Sequence, residues 1–176
     1  ALRWLLDHKV HNSAIAIFYD PQVVSLSQTA GVGAELQVRL GGKMGLTSGD
    51  PLDLKVRVLE IKQNYKHRFP QEDHDPIYCA VGDTVALRCK GIDIIVSSKR
   101  CQCFSPCIFD DFGISSKEKN ILVVKSMQHF FSAFSSISHE IIYMAAPGAV
   151  PPIVKDMHYQ RMNTENMFPW IDPPSL

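Results

Sequence analysis

The sequence predicts a single α/β domain built on one mixed sheet flanked by helices. Three observations carry this. A short apolar run, Ser13–Tyr19, is followed at once by helix-start residues Asp20-Pro21. Several segments in the middle alternate apolar and polar side chains, as half-buried strands do. A second apolar run, Ile121–Val124, again leads into a polar turn and a helical pattern. The order is therefore βα, then antiparallel-looking strands, then a βαβ unit near the end.

The chain has 176 residues, enough for one domain with a substantial core. It opens on Leu2-Arg3-Trp4-Leu5-Leu6, an amphipathic helix already under way after Ala1, which suggests a fragment of a longer protein. Ser13–Tyr19 has the continuous apolar character of a strand covered on both faces. Asp20 suits a helix N-cap and Pro21 a first helical position, so Gln22–Ala30 is expected to be helical until Gly31 and Gly33 stop it. Ala34–Leu40 is a predicted strand. Gly41, Gly42, Gly45 and Gly49 mark a loop ending near Pro51.

From Leu52 to Glu60, Leu54, Val56 and Val58 alternate with Lys55 and Arg57, giving a half-buried strand. Asn64–Pro76 is polar and holds Pro70 and Pro76, so most of it is expected to be an exposed loop. Val85, Leu87 and Cys89 predict another strand, and Lys90-Gly91 a hairpin turn into a strand from Ile92 to Gln102. Ser105-Pro106 should begin a short helix ending at Gly113. Ser126 should cap a helix running to about Ser136, and Ile141–Met144 should close the sheet. Residues 147–176, rich in proline, are expected to form an extended surface tail.

Bulk composition narrows the function classes. Formal net charge is zero, with 18 basic and 18 acidic residues, so no charge excess points to nucleic acid. No apolar run approaches membrane-spanning length. Lys9 and His11 interrupt the apolar start, so no secretion leader is expected, and the odd count of five cysteines argues against a disulfide framework. The expected setting is cytoplasmic, with free thiols.

Two strand-to-helix turns are candidates for chemistry: Phe18-Tyr19-Asp20-Pro21 and Val124-Lys125-Ser126-Met127-Gln128-His129. Parallel strands would bring both to one carboxyl edge, where open α/β sheets bind ligands. There Lys125, the helix N-terminus at Ser126 and His129 would favour an anion. The competing interpretation makes Ser126 only a cap and His129 only a packing residue. Ser98, Arg100 and Gln102, spaced by two, would share one strand face able to recognise a carboxylate or amide, or would simply face solvent.

Other motifs are weak. Cys101-x-Cys103-x3-Cys107 could hold a soft metal, but the spacing is not that of a common zinc site. The histidines form no His-Glu-x-x-His or His-x-His motif, and His67 and His74 flank an acidic stretch that suits a solvated loop. Ser126 lacks a Gly-x-Ser-x-Gly elbow, and Gly41-Gly42-Lys43 lacks the pattern of a phosphate loop. No metal site is expected in this chain.

Several segments together resemble one family. Gly31-Val32-Gly33-Ala34 with Arg39-Leu40-Gly41-Gly42-Lys43, then Ser48-Gly49-Asp50-Pro51-Leu52, Ser98-Lys99-Arg100-Cys101-Gln102 and Val123-Val124-Lys125-Ser126-Met127-Gln128-His129-Phe130, follow the order and spacing of the C-terminal domain of MlrC (microcystinase C) proteins. The resemblance covers nearly the whole chain. It departs at Phe131-Ser132, where the family usually carries Arg, at the loose closing match Asn166-Met167-Phe168-Pro169, and in a longer, more charged stretch at residues 64–76.

The resemblance implies part of a zinc-dependent peptidase or amidohydrolase, with the zinc held in a larger N-terminal domain and no cofactor in this one. The implied partners are that N-terminal metal-binding domain and a peptide or small amide substrate. Arg100, Gln102, Lys125, Ser126, His129 and Asp20 are then candidate substrate-binding residues, and no catalytic residue is assigned. The alternative is a non-catalytic module that stabilises the parent protein or its homodimer. If Arg100, Lys125 and His129 converge on one crevice, the enzyme-part interpretation gains.

Overall fold

The computed structural model describes residues 1–71, 74–146, 153, 155, 157 and 159–171. Helix α1 (Leu2–Asp7) leads into strand β1 (Ser13–Tyr19), helix α2 (Pro21–Ala30) and strand β2 (Glu35–Leu40). Strands β3 (Leu52–Phe69), β4 (Ile77–Cys89) and β5 (Ile92–Ser97) follow, then the short helix α3 (Cys107–Asp110), strand β6 (Ile121–Val124) and helix α4 (Phe131–Phe134). The strands form one open six-stranded sheet in the order β2-β3-β4-β5-β1-β6. Neighbours from β2 to β5 are antiparallel, whereas β1 runs parallel to both β5 and β6. The carboxyl ends of β5, β1 and β6 therefore share one edge.

Both faces are covered, which explains the continuous apolar runs of β1 and β5. Ile15, Ile92, Ile94 and Val96 face one core, with Leu2 and Leu5 of α1 and Val23 and Val24 of α2. Ala14, Ala16 and Ile95 face the other, with Ile108, Phe109 and Phe112 around α3 and Phe130 and Phe134 around α4. The start of α2 follows the local signals: the Asp20 carboxylate accepts from Val23 N at 3.3 Å, Pro21 opens the helix and Gly31 ends it at φ 85°.

The structure corrects four expectations. Residues 64–69 are strand rather than loop: β3 continues to Phe69 and pairs with β4 as far as Phe69↔Ile77. Tyr65 and His67 point inward and are buried while Lys66 and Arg68 point outward, so the alternation is present but written in polar residues. Second, β5 ends at Ser97, so Ser98, Arg100 and Gln102 lie in the following loop and share no strand face.

Third, no helix starts at Ser126. The chain stays extended past β6, with Lys125 N donating to Ala16 O at 2.8 Å and Lys125 O accepting from Cys103 N at 3.0 Å. Only Phe131–Phe134 is helical, pulled in by the buried Phe130 and Phe134 rings. Fourth, Ile141–Met144 is not a strand; Ile142, Tyr143 and Met144 are exposed and β6 is the edge. The strand–helix–strand unit near the end consists instead of β5, α3 and β6. Much of 147–176 lies outside the described residues; within 159–171, Tyr159 meets Trp170 edge-to-face at 5.5 Å.

Candidate functional site

The site is built where the carboxyl edge of the parallel strands meets the β3–β4 hairpin. A cleft of about 340 Å³ is lined by Cys79, Arg100, Cys101, Gln102, Phe104 and Lys125. Lys125 comes directly off β6, and Cys79 comes from β4. The other four come from the loop after β5. Ser97 anchors that loop: its hydroxyl contacts Phe18 O at 3.2 Å and Lys99 O at 2.8 Å, and its carbonyl accepts from Asp20 N at 3.0 Å. The loop then runs beside β4, with Ser98 N donating to Asp83 O and Lys99 N to Val81 O.

Arg100 is exposed but not free to wander. Its guanidinium carbon sits 4.9 Å from the centroid of the Tyr19 ring, a cation–π contact that leaves the N–H groups available. Ser126 Oγ donates to Gln102 Oε1 at 3.2 Å, so the amide oxygen of Gln102 is engaged and its N–H groups have no partner among the described residues. His129 packs edge-to-face against the Phe104 ring, with centroids 5.9 Å apart. Arg100, Gln102 and Lys125 thus line the cleft directly. Ser126 and His129 contact lining residues.

Asp20 is used differently. It is buried, and besides capping α2 its carboxylate accepts from Gly41 N at 3.0 Å and from Lys43 Nζ at 2.8 Å. It fastens the glycine loop to the β1–α2 turn. It is Tyr19, one residue earlier, that carries the turn into the site.

His67, Phe104 and Cys79 are functional candidates that the sequence did not single out, and Tyr19 belongs to a candidate turn in which only Asp20 was named as a site residue. His67 is fully buried, and its Nε2 accepts from Phe104 N at 3.1 Å and Ser105 N at 3.3 Å, which fixes the wall of the cleft. Burial pushes its pKa down to about 4, against an opposing pull from the Asp111 carboxylate. The signal for His67 was the period-two burial of Tyr65 and His67, masked by the charged residues between them.

The cysteines do not gather as Cys101, Cys103 and Cys107. Cys101 meets Cys79, Cys103 is buried in the core, and Cys107 Sγ accepts from Arg68 Nη2 at 3.5 Å. Among the described residues no group of three or more His, Cys, Asp and Glu side chains could hold a metal ion. A larger hollow of about 600 Å³, lined in part by Phe69, Pro70, Ser105 and Pro106, gathers neither Arg nor Lys among the described residues. The smaller cleft therefore carries the concentration of positive charge, from Arg100 and Lys125. Among the described residues no helix is long and apolar enough to cross a membrane.

Comparisons with known proteins agree with this architecture. The family model described as MlrC C-terminus matches residues 1–161. Microcystinase C from Sphingomonas sp. is 33% identical over 144 residues, covering 82% of this chain but 27% of that protein. A crystal structure from Mesorhizobium sp. BNC1, provisionally described as a metallopeptidase, shares the fold with a TM-score of 0.72 at 23% identity, covering 84% of this chain and 29% of its own. The chain thus spans little more than a quarter of these relatives. It belongs to the MlrC family, as a form of that family's C-terminal domain.

Proposed function

We propose that this domain is the substrate-holding part of an MlrC-like zinc-dependent metallohydrolase acting on peptide or amide bonds. The observation that carries the proposal is the convergence of Arg100, Gln102 and Lys125 on one cleft at the carboxyl edge of the sheet. Two cations and an amide at one rim can clamp a substrate carboxylate and a neighbouring peptide group, with Arg offering a planar fork and Lys a point charge. Tyr19 and Ser126 orient Arg100 and Gln102 in advance, so less ordering is left to occur on binding.

The described residues do not fit a zinc site, so no step involving the metal is assigned to this chain. The family membership and the partial coverage of Microcystinase C support a metal-binding domain elsewhere in the same protein. In this division of labour the C-terminal domain positions the substrate and the remainder performs the hydrolysis.

The test is steady-state kinetics of the full-length protein on linear peptides. Arg100→Ala and Lys125→Ala should each lower kcat/KM by about 10- to 100-fold, the range expected when a charge-assisted hydrogen bond worth roughly 1.5–3 kcal/mol is lost. Both side chains are exposed, so the denaturant midpoint should barely move. Full activity in both variants would overturn the proposal and leave the domain as a structural module.

A further inference from the structure

Cys79 and Cys101 are both half-buried and both line the cleft. Backbone pairing brings them together. Strand β4 pairs with β5 through Thr84↔Ser97, and the pairing continues beyond the end of β5 as Lys99 N donates to Val81 O at 3.0 Å. Two residues further along each chain, Cys101 falls opposite Cys79. Their sulfurs are 3.0 Å apart, with the Cys101 thiol donating to Cys79. A disulfide bond is about 2.0 Å long, so side-chain rotation by roughly 1 Å would close the pair. Of the other thiols, Cys89 and Cys103 are buried and Cys107 contacts Arg68.

We propose that Cys79 and Cys101 form a redox-active dithiol, closed to a disulfide by hydrogen peroxide and reopened by small thiols, that controls how firmly the loop bearing Arg100 and Gln102 is held at the cleft. In the first step the Cys79 thiolate attacks one peroxide oxygen and the O–O bond breaks. Hydroxide leaves and takes up a proton as water, and Cys79 becomes a sulfenic acid. In the second step Cys101 gives up its proton and its sulfur attacks the Cys79 sulfur. The S–O bond breaks, and the departing hydroxide leaves with that proton as a second water. Two thiols and one peroxide thus give one disulfide and two waters, the sulfurs losing the two electrons that the peroxide gains.

The environment assigns the order. The Cys101 thiol donates its hydrogen to Cys79 Sγ, and burial pushes that thiol up, so Cys101 keeps its proton at rest and serves as the resolving sulfur. The resulting bond would join β4 to the loop immediately beside Arg100 and Gln102.

The experiment reads the bond itself, so its outcome is separable from the proposed enzymatic role. The full-length protein is reduced, desalted, exposed to hydrogen peroxide, denatured, blocked with a thiol alkylator and mapped by tandem mass spectrometry. A Cys79–Cys101 linkage is expected, with a yield independent of protein concentration and lost on adding dithiothreitol, while Cys89 and Cys103 remain alkylated. Cys101→Ser should leave Cys79 as a sulfenic acid that dimedone traps. In the oxidised protein, amide exchange over residues 98–104 should slow. Alkylation of all five cysteines of this domain after peroxide, or Cys79 joined to a different cysteine, would overturn the dithiol; this wild-type map does not require the variant to fold. Unchanged exchange in the linked protein would overturn the control of the loop.

Discussion

The ring of His67 stacks on that of Phe104, with centroids 5.8 Å apart and planes 8° from parallel, while its Nε2 accepts two backbone N–H groups from Phe104 and Ser105. An Nε2 that accepts carries no proton, so the neutral ring holds its hydrogen on Nδ1, which is buried and has no partner among the described residues. Protonation would turn Nε2 into a third donor facing two others.

This geometry makes stability depend on pH. The folded-state pKa of His67 is lowered from 6.5 to about 4, so the unfolded chain binds the extra proton between those values. The contribution is fully present above pH 6.5 and is lost as pH falls toward 4, by up to about 3 kcal/mol. Urea midpoints measured across this range should fall steeply on acidification for the native protein and more shallowly for His67→Gln, whose amide oxygen can still accept. Parallel pH profiles for the two proteins would contradict this account.

Asp93 should be a stability residue remote from the cleft. Its side chain is 1% exposed and bonds Arg88 Nε at 2.6 Å and Lys119 Nζ at 2.8 Å. Asp93→Ala removes the shared anion and leaves the Lys119 ammonium, itself 12% exposed, without its counter-charge. A loss of about 3 kcal/mol in unfolding free energy is expected. Under the proposed function, turnover by the folded full-length protein should be unaltered, because Asp93 lies near the opposite end of β5 from the site. A loss below about 1 kcal/mol would show the ion cluster to be dispensable.

Gly82 lets the loop after β5 approach β4. It adopts φ +76°, and an added Cβ would collide with Ser98 Oγ and lie 3.0 Å from Lys99 Cγ. Gly31 has a similar φ, +85°, but open space where its Cβ would go. Gly31→Ala should therefore cost only the backbone strain at φ 85°, ψ 166°, about 1–3 kcal/mol, and Gly82→Ala more than Gly31→Ala. Gly82→Ala should also weaken substrate binding by displacing Arg100, which a rise in KM would report. Equal thermal shifts for the two variants would remove the steric explanation.

Local chemistry made much of the domain legible in the sequence. Asp20-Pro21 and Gly31 bound α2, and Lys90-Gly91 turns β4 into β5. The apolar runs identified β1 and β6; β1 is covered on both faces and needs no polar side, whereas β6, at the sheet edge, is only half-buried. The placement of both at one carboxyl edge, with Lys125 emerging there, followed from taking them as parallel. Other features depended on partners far along the chain. The polar stretch after Glu60 becomes strand because β4 supplies its hydrogen bonds and the second core buries Tyr65 and His67. The helix expected after Ser126 gives way because Ala16 and Cys103 hold Lys125 in an extended ladder and Phe130 and Phe134 sink into the core. The cleft itself joins Tyr19 to Arg100 and Cys79 to Cys101, contacts set by how β1, β4 and β5 register against one another. Capping and periodicity act within a few residues and so are written in the sequence. Register between distant strands is a choice among whole packings, decided only when both faces of the sheet are buried together.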